Sequence, residues 1–176
     1  MAFHGFAGFF LVSLKAMKKW IHNRPLQHKY AVFAVVVALV FTLDQISKTL
    51  VRSTIALNDE IALIPGFLYV ADVENTGLAF SFLRNYPSFL IILLVLALLG
   101  YLIYSFIKKQ DALTLIGLAM MVGGTLGNLF DRIMLGGVVD FIHFVLFGIS
   151  MPIFNLADTF IFFGICFWIL GEIFEL

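Results

Sequence analysis

Asp44, Asp131, Asp140 and Asp158 each sit in a polar cluster within or beside a long apolar run. The clusters read Asp44-Gln45-x-x-Lys48, Asn128-x-x-Asp131-Arg132, Val138-Val139-Asp140-Phe141 and Asn155-x-x-Asp158. A carboxylate at bilayer depth is expensive to hold and marks proton chemistry, ion movement or a paired support. Asp44 precedes Lys48 by one helical turn, the favourable acid-before-base order, so an intramembrane ion pair is predicted there. Asp131 stands beside Arg132 and is expected to pair with it or with another cation. Pairing would keep Asp131 ionised and suit it to support more than to proton transfer.

Asp140 is different, because only Val138, Val139, Phe141 and Ile142 flank it. An apolar setting raises a carboxylate pKa. Brought close to Asp158, it would share one proton with it, as paired aspartates do in proteolysis. The alternative is a solvated loop aspartate. Asn155 and Asp158 lie on one helical face behind Pro152, a residue suited to a helix start. Asp158 is then either a partner of the helix dipole or, a turn inside the helix, a functional carboxylate. Asn75-Thr76-Gly77 reads locally as a turn. Other chemistries lack their residues. There is no His-Glu-x-x-His and no Gly-x-Ser-x-Gly. His143 follows Asp140 by three, without a second histidine near it, so no metal centre is expected. The single cysteine, Cys166, lies in an apolar run and reads as a packed residue.

The elements that must position these groups are membrane spans. The 176 residues are 62% hydrophobic and 12% charged with zero net charge, which excludes a basic nucleic-acid-binding protein. Mean hydropathy is +1.05. Four spans of about 20 apolar residues, each enough to cross about 30 Å, are predicted at about 30–51, 88–107, 112–131 and 153–171. Basic residues gather before the first span (Lys15, Lys18, Lys19, Arg24, Lys29) and at the Lys108-Lys109 turn. Both termini are therefore expected to be cytoplasmic. With that topology all four aspartates reach the outer end of the spans.

Residues 67–74 look like a small outer sheet or hairpin, between Pro65-Gly66 and Asn75-Thr76-Gly77. Residues 132–152 read as an outer loop able to cover a site. Residues 1–29, with Phe6, Phe9, Phe10, Leu14, Met17 and Trp20 among lysines, suggest a cytoplasmic or interfacial amphipathic extension. Residues 30–176 form the membrane domain. Gly123 and Gly127 make a small-xxx-small step and read as helix-packing residues. The expected class is thus an all-α polytopic membrane protein of four transmembrane helices, with a small extracytoplasmic β-structure.

Taken in order, Asp44-Gln45-x-x-Lys48, Asn75-Thr76-Gly77-x-Ala79-Phe80, Gly123-Gly124-x-x-Gly127-Asn128-x-x-Asp131-Arg132, Val138-Val139-Asp140-Phe141 and Phe154-Asn155-x-Ala157-Asp158 resemble the bacterial lipoprotein signal peptidases, the signal peptidase II family. The resemblance covers about Phe41 to Asp158. It implies a four-span intramembrane aspartyl protease of the bacterial inner membrane, with Asp140 and Asp158 catalytic. Asp44, Lys48, Asn75, Gly77, Asn128, Asp131, Arg132 and Asn155 would be its supporting or substrate-positioning residues. The implied substrate is a prolipoprotein, cut before its diacylglyceryl-modified cysteine, in contact with membrane lipids and without a cofactor. A proton-coupled transporter using the same carboxylates as a relay is the alternative. Against it, the inner halves of the last three spans carry no Asp, Glu, His, Lys or Arg, where a relay should continue.

Overall fold

Long apolar runs without prolines leave the backbone one economical solution in lipid, which is to satisfy its polar groups within helices. The computed structural model describes residues 26–77, 88–109 and 111–174. It contains helices α1 (Leu26–Thr54), α2 (Ser88–Lys108), α3 (Ala112–Leu135) and α4 (Leu156–Phe174), each long and apolar enough to cross a membrane. The four predicted spans are all present. Helix α3 is the central one: it packs against the other three and is buried along most of its length. The others turn large apolar side chains outward, such as Leu39, Leu93, Phe162 and Ile173.

Glycines set how closely α3 approaches its neighbours. A methyl group at Gly117 would lie 2.5 Å from the Gly164 carbonyl oxygen on α4, and one at Gly124 would lie 2.5 Å from that of Ala157. Gly123 packs against Val37 and Val40 of α1. The α2–α3 turn is tight because Asp111 caps α3, its side chain accepting from the Thr114 amide at 2.7 Å. At the other end Gly136 adopts φ +86° and donates to the Arg132 carbonyl, a left-handed C-cap.

The sheet is larger than expected. Strands β1 (Glu60–Ile64), β2 (Leu68–Asn75), β3 (Val138–Leu146) and β4 (Ile149–Ser150) pair antiparallel in that order. Pro65-Gly66 turns β1 into β2, with Gly66 at φ +77°. The strand over 67–74 is as expected. The segment 132–152 is not a loop, because it holds the last turn of α3, then β3, which pairs with β2, and β4. Most of β3 is buried, so its sequence does not alternate and lacks the usual half-buried strand signal. Val51 and Ile55 at the end of α1 cluster with Phe141, which fastens β3 to the helices. Helix α3 runs four residues past Asp131, placing that residue a turn inside the helix instead of at its end. The expected amphipathic character of residues 1–29 lies almost wholly outside the described residues.

Candidate active site

Lys48 on α1 is the hub of a buried ionic cluster. Its Nζ lies 2.7 Å from Asp44 Oδ2 and 2.8 Å from Asp131 Oδ2, and it donates to Asn128 Oδ1 at 2.9 Å. Asp44, Lys48 and Asp131 are each no more than 2% exposed. The predicted Asp44–Lys48 pair is thus present, and Asp131 joins it. Asp131 does not pair with Arg132. Successive helical residues are about 100° apart around the axis, so Asp131 faces α1 while Arg132 turns away. Arg132 instead donates to the carbonyls of Asn128 (3.1 Å) and Gly77 (3.0 Å).

Gln45 belongs to this cluster as well. Its Nε2 lies within hydrogen-bond reach of Asp131 Oδ1 (3.0 Å), Asp44 Oδ2 (3.2 Å) and the Gly127 carbonyl (3.3 Å). Sequence reasoning quoted Gln45 in its motif without giving it a role. The available signal was a second polar residue inside an apolar span. Gly127 also has a different duty from the one expected: a methyl there would run into the Asp44 carboxylate, so the glycine makes room for it.

The N-terminus of α4 meets this cluster. Asp44 Oδ1 accepts from the Ala157 amide at 2.9 Å. Asn155 Oδ1 accepts from the Asp158 amide at 2.9 Å, and Asp158 Oδ2 accepts from the Asn155 amide at 3.3 Å. This is a reciprocal capping box built on Asn-x-x-Asp. Because α4 begins at Leu156, later than the sequence suggests, Asp158 lies in its first turn. Asp158 therefore caps the helix, as one of the two sequence alternatives has it, and it also lines a cavity.

Asn155 is fully buried and bridges the set. Its Nδ2 lies 2.7 Å from Asp140 Oδ1 and 3.0 Å from Asn128 Oδ1. Asn128 Nδ2 in turn donates to Asp158 Oδ1 at 2.8 Å. Asp140 Oδ2 accepts from Asn75 Nδ2 at 2.9 Å, while Asn75 Oδ1 accepts from the Gly77 amide at 3.0 Å. Asn75-Thr76-Gly77 is thus a turn and also part of the site. Asp140 is 3% exposed, so it is not a solvated loop residue. Burial pushes its pKa up to about 6, against the pull of the Asn75 hydrogen bond, and the nearby Asp158 charge adds to the rise.

All ten residues singled out from the sequence fall in this one network. Asp140, Asp158, Asn75, Asn128 and Arg132 line a cavity of about 830 Å³ whose remaining walls, Thr159 apart, are apolar, among them Phe144, Ile161 and Phe162. His143 is not part of it. Its ring lies 2.7 Å from Glu60 and 2.9 Å from Ser150, on the side of β3 away from Asp140. The arrangement can hold two carboxylates, oriented by shared asparagine amides, beside an apolar chamber.

The sequence model of the signal peptidase (SPase) II family matches residues 36–174. A lipoprotein signal peptidase of Symbiobacterium thermophilum is 40% identical over 129 residues, covering 71% of this chain and 84% of that protein. One from Staphylococcus carnosus is 34% identical over 138 residues, covering 77% and 86%. Among solved structures, a bacterial membrane enzyme determined by the in meso method at 2.3 Å resolution superposes with a TM-score of 0.75 at 28% identity, covering 82% of this chain and 89% of that one. A second such structure, at 1.9 Å resolution, gives a TM-score of 0.72 at 29% identity, covering 81% and 92%.

Proposed function

The chain belongs to the signal peptidase II family, and from that premise we propose that it removes signal peptides from bacterial prolipoproteins with Asp140 and Asp158 as a catalytic pair. The observation that carries the assignment is the bridge between the two carboxylates. Asn155 hydrogen-bonds Asp140 with its side chain and Asp158 with its side chain and amide, at the wall of one apolar cavity.

The pair shares one proton. The ionised carboxylate takes a proton from water as the oxygen attacks the scissile carbonyl carbon. The protonated partner donates to the carbonyl oxygen, giving a tetrahedral diol. Collapse of the diol breaks the C–N bond as a proton passes to the leaving amine. Asn75, Asn128 and Asn155 hold the carboxylates in place. Lys48 neutralises Asp44 and Asp131 while anchoring Asn128. Arg132, tied to Gly77, holds the Asn75–Gly77 turn over the site. No step calls for a metal or an organic cofactor.

The leaving amine would belong to the diacylglyceryl-modified cysteine, with its acyl chains in the apolar chamber or the adjoining bilayer. The protein is a multi-pass protein of the bacterial inner membrane. The cation distribution supports cytoplasmic termini and a site near the outer face. The transporter reading gains no support, because the family is a peptidase family and the four aspartates gather at one end of the helices.

The test is cleavage of a purified precursor peptide, with and without its diacylglyceryl group, by the wild type, Asp140→Asn and Asp158→Asn in one detergent. Each variant should remain folded and lose activity by several orders of magnitude. Substantial turnover by either one would sink the paired-aspartate mechanism.

A further inference from the structure

The hairpin joining β3 to β4 is built against the usual preferences for an exposed turn. Its two central residues are Phe147 at φ +53° and Gly148 at φ +77°. Such left-handed pairs favour Asn or Gly, because a bulky side chain is strained there. Yet Phe147 occupies the position and is completely exposed. Ile149 is 66% exposed, and Leu146 and Met151 are exposed beside it. No charged residue occurs between Phe144 and Ala157. An uncharged apolar tip held in a strained turn is a poor design for contact with water.

The base of the hairpin is fixed. His143 Nδ1 lies 2.7 Å from Glu60 Oε2 on β1, and its Nε2 lies 2.9 Å from Ser150 Oγ on β4. Its ring packs on Tyr69 of β2, with centroids 5.6 Å apart. One buried side chain thus ties β4 to the other three strands, so the tip is presented in a set direction.

That direction is given by the cavity. Leu146 and Met151 line it together with Phe162, Phe163 and Ile165 of α4. Ile165 lies nine residues into α4, about 14 Å from the helix start. Phe162 and Phe163 are exposed on a helix long and apolar enough to cross a membrane, where exposed apolar side chains are expected to meet lipid. The hairpin therefore borders the same space as a lipid-facing stretch of helix, and its apolar tip continues the apolar belt of the spans.

We propose that the β3–β4 hairpin is a lipid-inserted anchor, with Phe147 and Ile149 buried in the interfacial layer of the leaflet that holds the Asp158 end of α4. The hairpin thereby forms the bilayer-side wall of the cavity and holds its mouth at a fixed depth. This goes beyond the peptidase reading and does not depend on it. The bilayer itself is the occupant.

The experiment is a depth measurement on the full chain. In a Cys166→Ser background, Phe147→Cys and Ile149→Cys are each labelled with an environment-sensitive fluorophore and reconstituted into phosphatidylethanolamine–phosphatidylglycerol nanodiscs. Asn58→Cys, in the turn before β1, is the control. The hairpin labels should emit to the blue of the control. They should also be quenched several-fold more by nitroxide phospholipids than by aqueous iodide, with the control showing the reverse. The Ile149 label decides the question should Phe147→Cys fail to assemble. A hairpin label that iodide reaches as readily as it reaches the control overturns the proposal. So does a label shielded from both quenchers, which would mean that protein covers the tip. Because no cleavage is measured, a failure here leaves the peptidase assignment to its own test.

Discussion

Asp140 carries two testable consequences of its burial. With its pKa raised to about 6 from an aspartate's ordinary value of 3.8, the folded protein binds more protons than the unfolded chain between those values. The group's contribution to stability is thus fully present below pH 3.8 and is lost as pH rises through about 6. Near neutral pH the buried charge is a cost, on the order of 3 kcal/mol at about 1.4 kcal/mol per unit. Asp140→Asn should therefore raise thermal stability more at pH 7.5 than at pH 4.5, as read from melting curves at both. An equal shift would mean that Asp140 titrates normally. Activity should follow the shared proton: kcat/KM should fall as pH rises beyond about 6, with an apparent pKa that belongs to the pair. At Asp131 the partner stranded by substitution is Lys48. Asp131→Asn leaves Lys48 with Asp44 alone, whereas Lys48→Met leaves two buried carboxylates without a cation. Breaking such a cluster costs about 3–5 kcal/mol. Lys48→Met should be the more destabilising of the two in denaturant titration, and the opposite order would contradict the hub geometry.

At the scale of elements, α4 is the piece that must be placed correctly. Its first turn brings Asn155 and Asp158 to the site, and its position depends on glycine contacts with α3. Gly117→Val would force the helices apart, since even a methyl there would lie 2.5 Å from the Gly164 carbonyl oxygen. Overpacking of this kind costs about 1–3 kcal/mol. The displacement should also lower kcat, although the residue lies far from Asp158 along the membrane. Gly100→Ala on α2 is the matched comparison, because nothing lies within 4 Å of the added methyl. It should be neutral, or stabilising by up to about 1 kcal/mol. Melting and turnover of the two variants decide the point, and equal behaviour would remove the packing argument.

At the scale of the whole molecule, the helices deliver four carboxylates to one end and the sheet closes over them. Two consequences concern the membrane. Residues 52–77 and 138–150 should lie outside the cell, and the turn around Lys109 inside it. Single cysteines at Asn58 and Lys109, in a Cys166→Ser background, should differ accordingly: only the first should react with an impermeant reagent in intact cells. Reaction at Lys109 alone would invert the topology. The second concerns the substrate. Each buried methylene contributes about 0.8 kcal/mol, so two acyl chains concentrate a precursor in the bilayer and fix the depth of its cysteine. A precursor lacking them should be cleaved orders of magnitude more slowly, through lost positioning as well as lost affinity. Equal rates would mean that recognition rests on the peptide alone.

Hydrophobic run length, and polar residues that lipid does not tolerate without a reason, were legible in one dimension. They gave the four spans, the Asp44–Lys48 pair and the gathering of the aspartates. The ordered motifs pointed to the family and to ten residues of the network, though not to the part Gln45 plays in it. Partner choice was not legible in the same way. Adjacency offered Arg132 to Asp131 and left another cation open without naming it; helical rotation turns neighbours apart and brings Lys48, 83 positions away, to Asp131. The third strand was hidden because a strand buried on both faces shows no alternation. The double duty of Asp158, as capping residue and cavity wall, depends on where α4 begins. That start is decided by Asn155 and by the Asp44 carboxylate reaching across from another helix. Local pattern determined which groups are costly to bury, and only the packing of α1, α3, α4 and β3 decided which of them share that cost.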